Sequence, residues 1–376
     1  MVRVIASEYE NLDEALGQVP DKLVQKPYPT IYSHYENIFK HAGEDVFRYA
    51  ALQVLSPYAP KLNYQGDEKR IAINLLLLGN SGSGKSGLIE EIENIAPLGK
   101  TEFVQKQTGK ALQEAVMGKS DGVELLVNDM KTVMGDTELL KTYETVIADG
   151  RIKRDTANEK IDDDNIRAAM VGAAVPSDIS RQVYGGFIFR VIPIQIKYTA
   201  KQQDEILDHI EQNISSKNDS GVTNKEISKY YDILYDLMVG RLDKPKVAGY
   251  EFSEELRKEM RKGYKVAKDE GDLNEYVNLI RQFYDGFRLA ALHALLNLPN
   301  RDYINHREED GEEVADIKIE KIDVVVGKAG MQRLLDTLDG FIDDTIKKEM
   351  ADIDQYETSR SFGWSERQEK KARSNN

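Results

Sequence analysis

The residues best placed to do chemistry are Gly79-Asn80-Ser81-Gly82-Ser83-Gly84-Lys85-Ser86, directly after the apolar run Ile71-Ala72-Ile73-Asn74-Leu75-Leu76-Leu77-Leu78. They satisfy G-x-x-x-x-G-K-[ST] at each fixed position. Glycines in such a loop let successive backbone N–H groups turn inward as an anion nest, and the helix that follows adds the positive end of its dipole. The cradle suits a nucleotide: Lys85 would act as a point charge on the β/γ-phosphates and the Ser86 hydroxyl as a ligand to Mg²⁺, with Gly87 behind them. The expected cofactors are therefore ATP and Mg²⁺.

A second chemical stretch is Glu124-Leu125-Leu126-Val127-Asn128-Asp129, an apolar run that ends in polar and acidic side chains. A P-loop ATPase needs a group there for the metal and a base to orient water. Two assignments stand: Asp129 holds the metal, or Asn128 holds a metal-bound water while Asp129 is the base. Asp129 is the carboxylate expected to be indispensable, although Asp before Met130 also suits a helix N-cap.

Further cations follow. Arg151, Lys153 and Arg154, then the polar Thr156-Ala157-Asn158-Glu159-Lys160 and the acidic Asp162-Asp163-Asp164, predict a hairpin with a basic and an acidic arm. These three side chains either contact nucleic-acid phosphates or pair with the neighbouring aspartates. Arg190 interrupts an apolar run at 185–194 and must find an anion, either inside the fold or on the γ-phosphate of a neighbouring subunit, with Arg181 in reserve. Arg281 and Arg288 lie about two turns apart on one helix face, where they either sense nucleotide or are ordinary surface arginines.

These residues need a scaffold. The apolar run before the glycines reads as a buried strand, and Leu88, Ile89, Ile92 and Ile95 recur at helical spacing up to Pro97. The runs 124–129, 166–176 and 185–194 supply further strands. The expected fold is therefore an α/β P-loop NTPase core at 66–198, with an N-terminal helical extension at 1–65. A helical lid at 199–350, with polar 301–314 as a surface loop, and a flexible charged tail at 351–376 complete it. Tyr28, Tyr32 and Tyr35 are read as core of the extension.

Composition narrows the classes of function. Acidic residues number 65 against 51 basic ones, a net charge of −14, so contact with nucleic acid must come from a local basic patch. The absence of cysteine excludes disulfides and thiolate chemistry. No apolar run approaches the roughly eighteen residues that span a bilayer, and no signal pattern follows Met1, so a soluble cytoplasmic protein with no membrane partner is expected.

With these residues placed, the order of parts resembles the AAA+ helicase clade of minichromosome-maintenance helicases and the ATPase domains of plasmid and phage primase-helicases. The similarity spans roughly residues 40–300. It rests on Leu55-Ser56-Pro57, the P-loop, Thr108 to Leu112, Leu140-Lys141-Thr142-Tyr143 before the hairpin, Ala173-Ala174-Val175-Pro176 at a sensor position, Gly-Phe-x-x-Arg at 186–190, and Arg288-Leu289-Ala290. The resemblance implies a homo-oligomeric ring, usually a hexamer, with ATP between subunits and DNA through the centre. Lys85, Ser86 and Asp129 would act in cis and Arg190 in trans, in replication alongside a partner protein. This sequence departs from the pattern at Asn128 and at Val175, where a polar side chain is usual, so water positioning would rest on Ser177. An assembly or loader ATPase acting on a protein is the other class considered.

Overall fold

The computed structural model describes residues 9, 11–39, 44–64, 67–97, 99–104, 108–156, 159–163, 165–176, 187, 190–215, 221–270 and 279–336. Four helices open the chain: α1 (Leu12–Leu16), α2 (Asp21–Gln25), α3 (Pro27–Ile38) and α4 (Glu44–Gln53). A small ribbon of β1 (Leu62–Tyr64) and β2 (Asp67–Lys69) leads to β3 (Leu75–Leu78) and α5 (Lys85–Ile95). Then come β4 (Thr101–Phe103), α6 (Gly109–Val116), β5 (Val123–Val127), α7 (Lys131–Gly135) and α8 (Thr137–Glu144). A π-helical turn at Thr145–Asp149 precedes β6 (Ile152–Thr156) and β7 (Glu159–Asp163), and β8 (Ala168–Ala174) and β9 (Ile192–Gln195) follow.

Among the described residues, five strands form a central sheet in the order β4-β5-β8-β3-β9, and every neighbouring pair is parallel. This is a P-loop NTPase core. The strand that carries Asn128 and Asp129 is separated from the P-loop strand by β8 alone, so both chain ends emerge on the same edge of the sheet. Side chains alternate between the two faces, as the period of a strand requires. Leu75 and Leu77 enter one hydrophobic cluster with the N-terminal helices, α5 and the C-terminal helices. Leu76 and Leu78 enter the other, with α6 to α8 and the start of the hairpin. Burial on both faces explains why these strands read as unbroken apolar runs.

The described C-terminal part follows, and most of its elements contribute residues to the cluster on the first face. It comprises α9 (Ala200–Ser215), α10 (Asn224–Met238), β10 (Lys246–Glu251), α11 (Glu254–Glu270), α12 (Leu279–Leu296), β11 (Tyr303–Glu309) and β12 (Glu312–Lys318), then a helix, α13, over 321–336. A capping box at Thr223 and Glu226 starts α10. That helix packs on α5 and also holds it by polar contact: buried Glu91 of α5 takes Asn224 Nδ2 at 2.7 Å and lies 2.8 Å from His34 Nε2 of α3. Two distant stretches of sequence thus fix the helix that follows the P-loop.

Two stretches depart from the sequence expectation: of the run read as a strand at 185–194, only Ile192 onward lies in a strand, β9, among the described residues. The polar 301–314 segment is not a loop but most of a hairpin, with β11 antiparallel to β12 and β12 parallel to β10. Its turn is Asp310-Gly311, both at positive φ (51° and 80°), the pairing a two-residue hairpin favours. Nearly all of β11 faces solvent, so its side chains lack the apolar alternation by which strands are recognised.

Candidate functional site

The P-loop leaves β3 where Gly79 N–H reaches Ala174 O of β8 at 3.3 Å. Only glycine fits at 79, because a Cβ would stand 2.5 Å from Ser83 Oγ and 2.8 Å from the Ile196 carbonyl beyond β9. Gly82 and Gly84 take φ of +80° and +82°, the left-handed turn that brings the main chain round into a nest. Gly84 is the residue before α5, so Lys85 and Ser86 occupy its first turn. Asn80, Ser81, Gly82, Gly84 and Ser86 are exposed, and Gly87 is half-buried.

Lys85 folds back over this loop. Its Nζ donates to the carbonyls of Gly79 at 2.7 Å and Asn80 at 2.8 Å, and lies 3.2 Å from Ser83 Oγ. Burial pulls its ammonium below the ordinary lysine range. The ammonium is thus held by neutral oxygens alone at the point where phosphate oxygens would approach. Tyr198, after β9, donates its hydroxyl to Ser83 O at 3.1 Å and braces the loop from outside. Sequence reasoning missed it because a tyrosine in a polar stretch carries no spacing signal.

Asn128 and Asp129 follow β5 directly, on the P-loop edge, where Met130 N–H bonds Ala173 O of β8 at 2.8 Å. Asp129 is exposed, and its Oδ1 accepts the Lys131 N–H at 2.9 Å, at the start of α7. Asn128 is half-buried, and its Oδ1 is closed off from solvent with no hydrogen-bond partner. The exposed Ser86 hydroxyl, the orphaned Asn128 oxygen and the Asp129 carboxylate are hard oxygen donors of the kind that a magnesium ion and its waters take. The half-buried Val175 leaves β8 on the same edge, and Ser177 and Arg181 lie outside the described residues.

Arg190 is elsewhere. β9 runs parallel to β3 with Ile192 opposite Leu75, so Arg190 stands at the edge of the sheet opposite the P-loop. Asn74 pins it there, donating its amide to Arg190 O at 2.9 Å and accepting the Met170 N–H at 3.0 Å. The Arg190 side chain is about a quarter exposed, with Glu144 Oε1 at 3.9 Å. The chain therefore does not bring Arg190 to its own P-loop.

The hairpin of β6 and β7 leaves from this same far edge, with Lys153 opposite Asp162 and Arg154 opposite Ile161. Arg151 pairs with Asp162, its Nε and Nη2 donating at 3.0 and 2.7 Å to Oδ1 and Nη2 also reaching Oδ2 at 3.0 Å. The side chains of Lys153 and Arg154 lie outside the described residues, as does that of Arg281, which falls in the first turn of α12. Arg288, later in α12, bonds Asp285 at 2.6 Å and the carbonyl of Arg70 at 3.0 Å. Arg70 precedes β3 and sits with the hairpin base, so Arg288 too lies away from the P-loop of its own chain. No cluster of three or more acidic or histidine side chains suited to a metal occurs among the described residues.

Residues 14–140 match the sequence model of the MCM P-loop domain. The match takes in the P-loop, β5, Asn128 and Asp129, and stops before the hairpin, Arg190 and the C-terminal helices. A comparison with curated proteins found no match. Among the described residues, no helix is long and apolar enough to cross a membrane.

Proposed function

On the premise that this chain carries an MCM-like AAA+ ATPase core of helicase type, we propose that it is an oligomeric, ATP-driven DNA helicase or translocase acting in replication of the plasmid or viral kind. The observation that carries the proposal is the placement of Arg190 on the sheet edge opposite Lys85. A P-loop and an arginine on opposite edges of one subunit complete each other only when a second copy docks, and repetition of that head-to-tail contact closes a ring, here a hexamer.

In this reading Lys85 exchanges its three loop oxygens for β/γ-phosphate oxygens, Ser86 and, through a water, Asn128 would hold Mg²⁺, and Asp129 would act as the base. The metal, when bound, neutralises charge that builds on the phosphoryl oxygens. Arg190 of one subunit supplies charge to the γ-phosphate of the next, and Lys153 and Arg154 carry DNA phosphates past the ring centre. A replication protein partner would load or direct the ring.

Lys85→Ala and Arg190→Ala subunits are each expected to lack DNA-stimulated ATP turnover, and a mixture of the two to regain part of it. A mixture as inactive as its components would remove the shared site from consideration. A second reading is favoured by the bidentate Arg151 and Asp162 pair, which already satisfies one hairpin cation and suits a protein-gripping loader. Replacing Lys153 and Arg154 by alanine separates the readings. For single-stranded DNA, removing one cation that neutralises a phosphate flattens the log K against log salt slope by about 0.7, whereas a protein-gripping hairpin leaves it unchanged.

A further inference from the structure

On the sheet edge opposite the P-loop, at the base of the hairpin, lies a cavity of about 100 Å³ whose lining includes Ser56, Lys61, Arg70, Asp149, Asn165 and Arg167. Three of its lining side chains are cationic and one is anionic, in a chain whose net charge is −14. Arg70 spends its hydrogen bonds on neutral acceptors: Nη1 on the carbonyls of Val146 at 2.9 Å and Ile147 at 3.3 Å, Nη2 on that of Ala168 at 2.7 Å. Asp149 acts on it only as a nearby charge, while burial and the charges of Arg167 and Arg288 pull its guanidinium down to about 10. Arg167 follows the hairpin, is half-buried, and has an Nε shut off from solvent with no hydrogen-bond partner.

Two guanidinium groups that repel each other around a cavity, one with an unused donor, leave an uncompensated positive site. The cavity has room enough for one tetrahedral oxyanion. Guanidinium donors match phosphate geometry better than a lysine ammonium does. We propose that this cavity binds a phosphate group through Arg167 and Arg70, as a site separate from the P-loop.

The phosphate has two possible sources, a DNA strand lying along the hairpin or free inorganic phosphate. The strand source rests on the DNA reading above; the anion site does not. The test uses the full chain saturated with a non-hydrolysable ATP analogue, so that the P-loop is filled, and titrates inorganic phosphate calorimetrically into wild type, Arg167→Gln and Arg167→Lys.

Wild type is expected to take up phosphate, Arg167→Gln to bind it at least about tenfold more weakly, as expected for losing a charged hydrogen bond, and Arg167→Lys to recover part of the loss. If the phosphate belongs to a strand, Arg167→Gln also flattens the salt slope for a single-stranded oligonucleotide by about 0.7. An unchanged slope with weakened phosphate binding supports the site with free phosphate as its ligand. Wild type that binds phosphate but no oligonucleotide supports the cavity site and removes the DNA reading. Wild type that takes up no phosphate, or Arg167→Gln that binds it as wild type does, overturns the site.

Discussion

Arg288 Nε donates to the main-chain carbonyl of Arg70 at 3.0 Å, and the Arg70 guanidinium in turn grips carbonyls on both sides of the β6–β7 hairpin, Val146 before it and Ala168 after it. One helix of the C-terminal part is thereby tied to the base of the hairpin through a single arginine. A shift of α12 relative to the sheet must either break this bond or carry the hairpin base along.

Arg288→Ala is expected to destabilise the fold by about 1–3 kcal/mol, the cost of leaving a carbonyl and a nearly buried carboxylate unsatisfied. The carboxylate is that of Asp285, 8% exposed and otherwise paired to Arg288 at 2.6 Å. Urea unfolding reads the stability, and ATP turnover with and without DNA reads the coupling. Stimulation by DNA should fall while nucleotide affinity stays the same. Weakened nucleotide affinity would instead favour the nucleotide-sensing alternative of the sequence reading, exercised on a neighbouring subunit.

Gly150 is expected to resist substitution for a related reason. Its φ is +63°, and a Cβ there would stand 2.5 Å from Ile166 O and 3.0 Å from Arg70 Nη1. Gly118 has a similar φ, +72°, with nothing within 4 Å of a Cβ. Both Gly→Ala variants carry the left-handed cost of about 1–2 kcal/mol; Gly150→Ala adds displacement of the clasp. Chemical denaturation should therefore rank Gly150→Ala clearly below Gly118→Ala, and equal losses would show that the close approach to Arg70 is unimportant.

Glu124 on β5 is fully buried, and its Oε1 accepts from Gln53 Nε2 at 2.6 Å while its Oε2 has no partner. Burial raises its carboxyl well above the usual range, partly offset by the Gln53 hydrogen bond. The folded chain thus keeps a proton that the unfolded chain releases near the ordinary value of about 4.3. Its contribution to stability is complete below that value and declines as pH rises toward the raised value. Glu124→Gln keeps the shape without the charge, so its melting temperature should match wild type in acid and exceed it increasingly toward neutral pH. Parallel curves would mean that Glu124 is already ionised in the fold.

The central sheet was legible in the sequence because two-sided burial writes itself as continuous apolar runs, and because the glycine spacing of the P-loop has few other uses. The hairpin at 152–163 was legible from its charged arms and polar tip. Hidden instead were positions whose meaning comes only from distant partners. Arg70, Asn74 and Gly150 look like ordinary residues until β8, β9 and α12 close around them. The strand β11 reads as a loop because an exposed edge strand has no apolar rhythm, although Asp310-Gly311 marks its turn. The opposition of Lys85 and Arg190 follows from the parallel pairing of β3 with β9, which composition and periodicity do not encode.

That opposition leaves the roles of Asn128 and Asp129 to be assigned. Asp129 already serves the main chain by accepting the Lys131 N–H, so a loss of activity on truncation would mix catalysis with the start of α7. Asp129→Asn keeps an acceptor oxygen for that bond and removes only the charge. If Asp129 is the working carboxylate, ATP turnover should fall by about 10²- to 10⁴-fold, the range of general-base contributions, with melting temperature and nucleotide affinity nearly unchanged. Asn128 poses the converse case, because its Oδ1 is buried without a partner and truncation removes an unsatisfied group. Asn128→Ala should therefore leave stability unchanged or raise it slightly, and lower turnover if that oxygen holds a water in the loaded site. Full turnover in Asp129→Asn together with its loss in Asn128→Ala would reverse the assignment, leaving Asp129 as an acceptor for the main chain ahead of α7 and Asn128 as the residue that positions water.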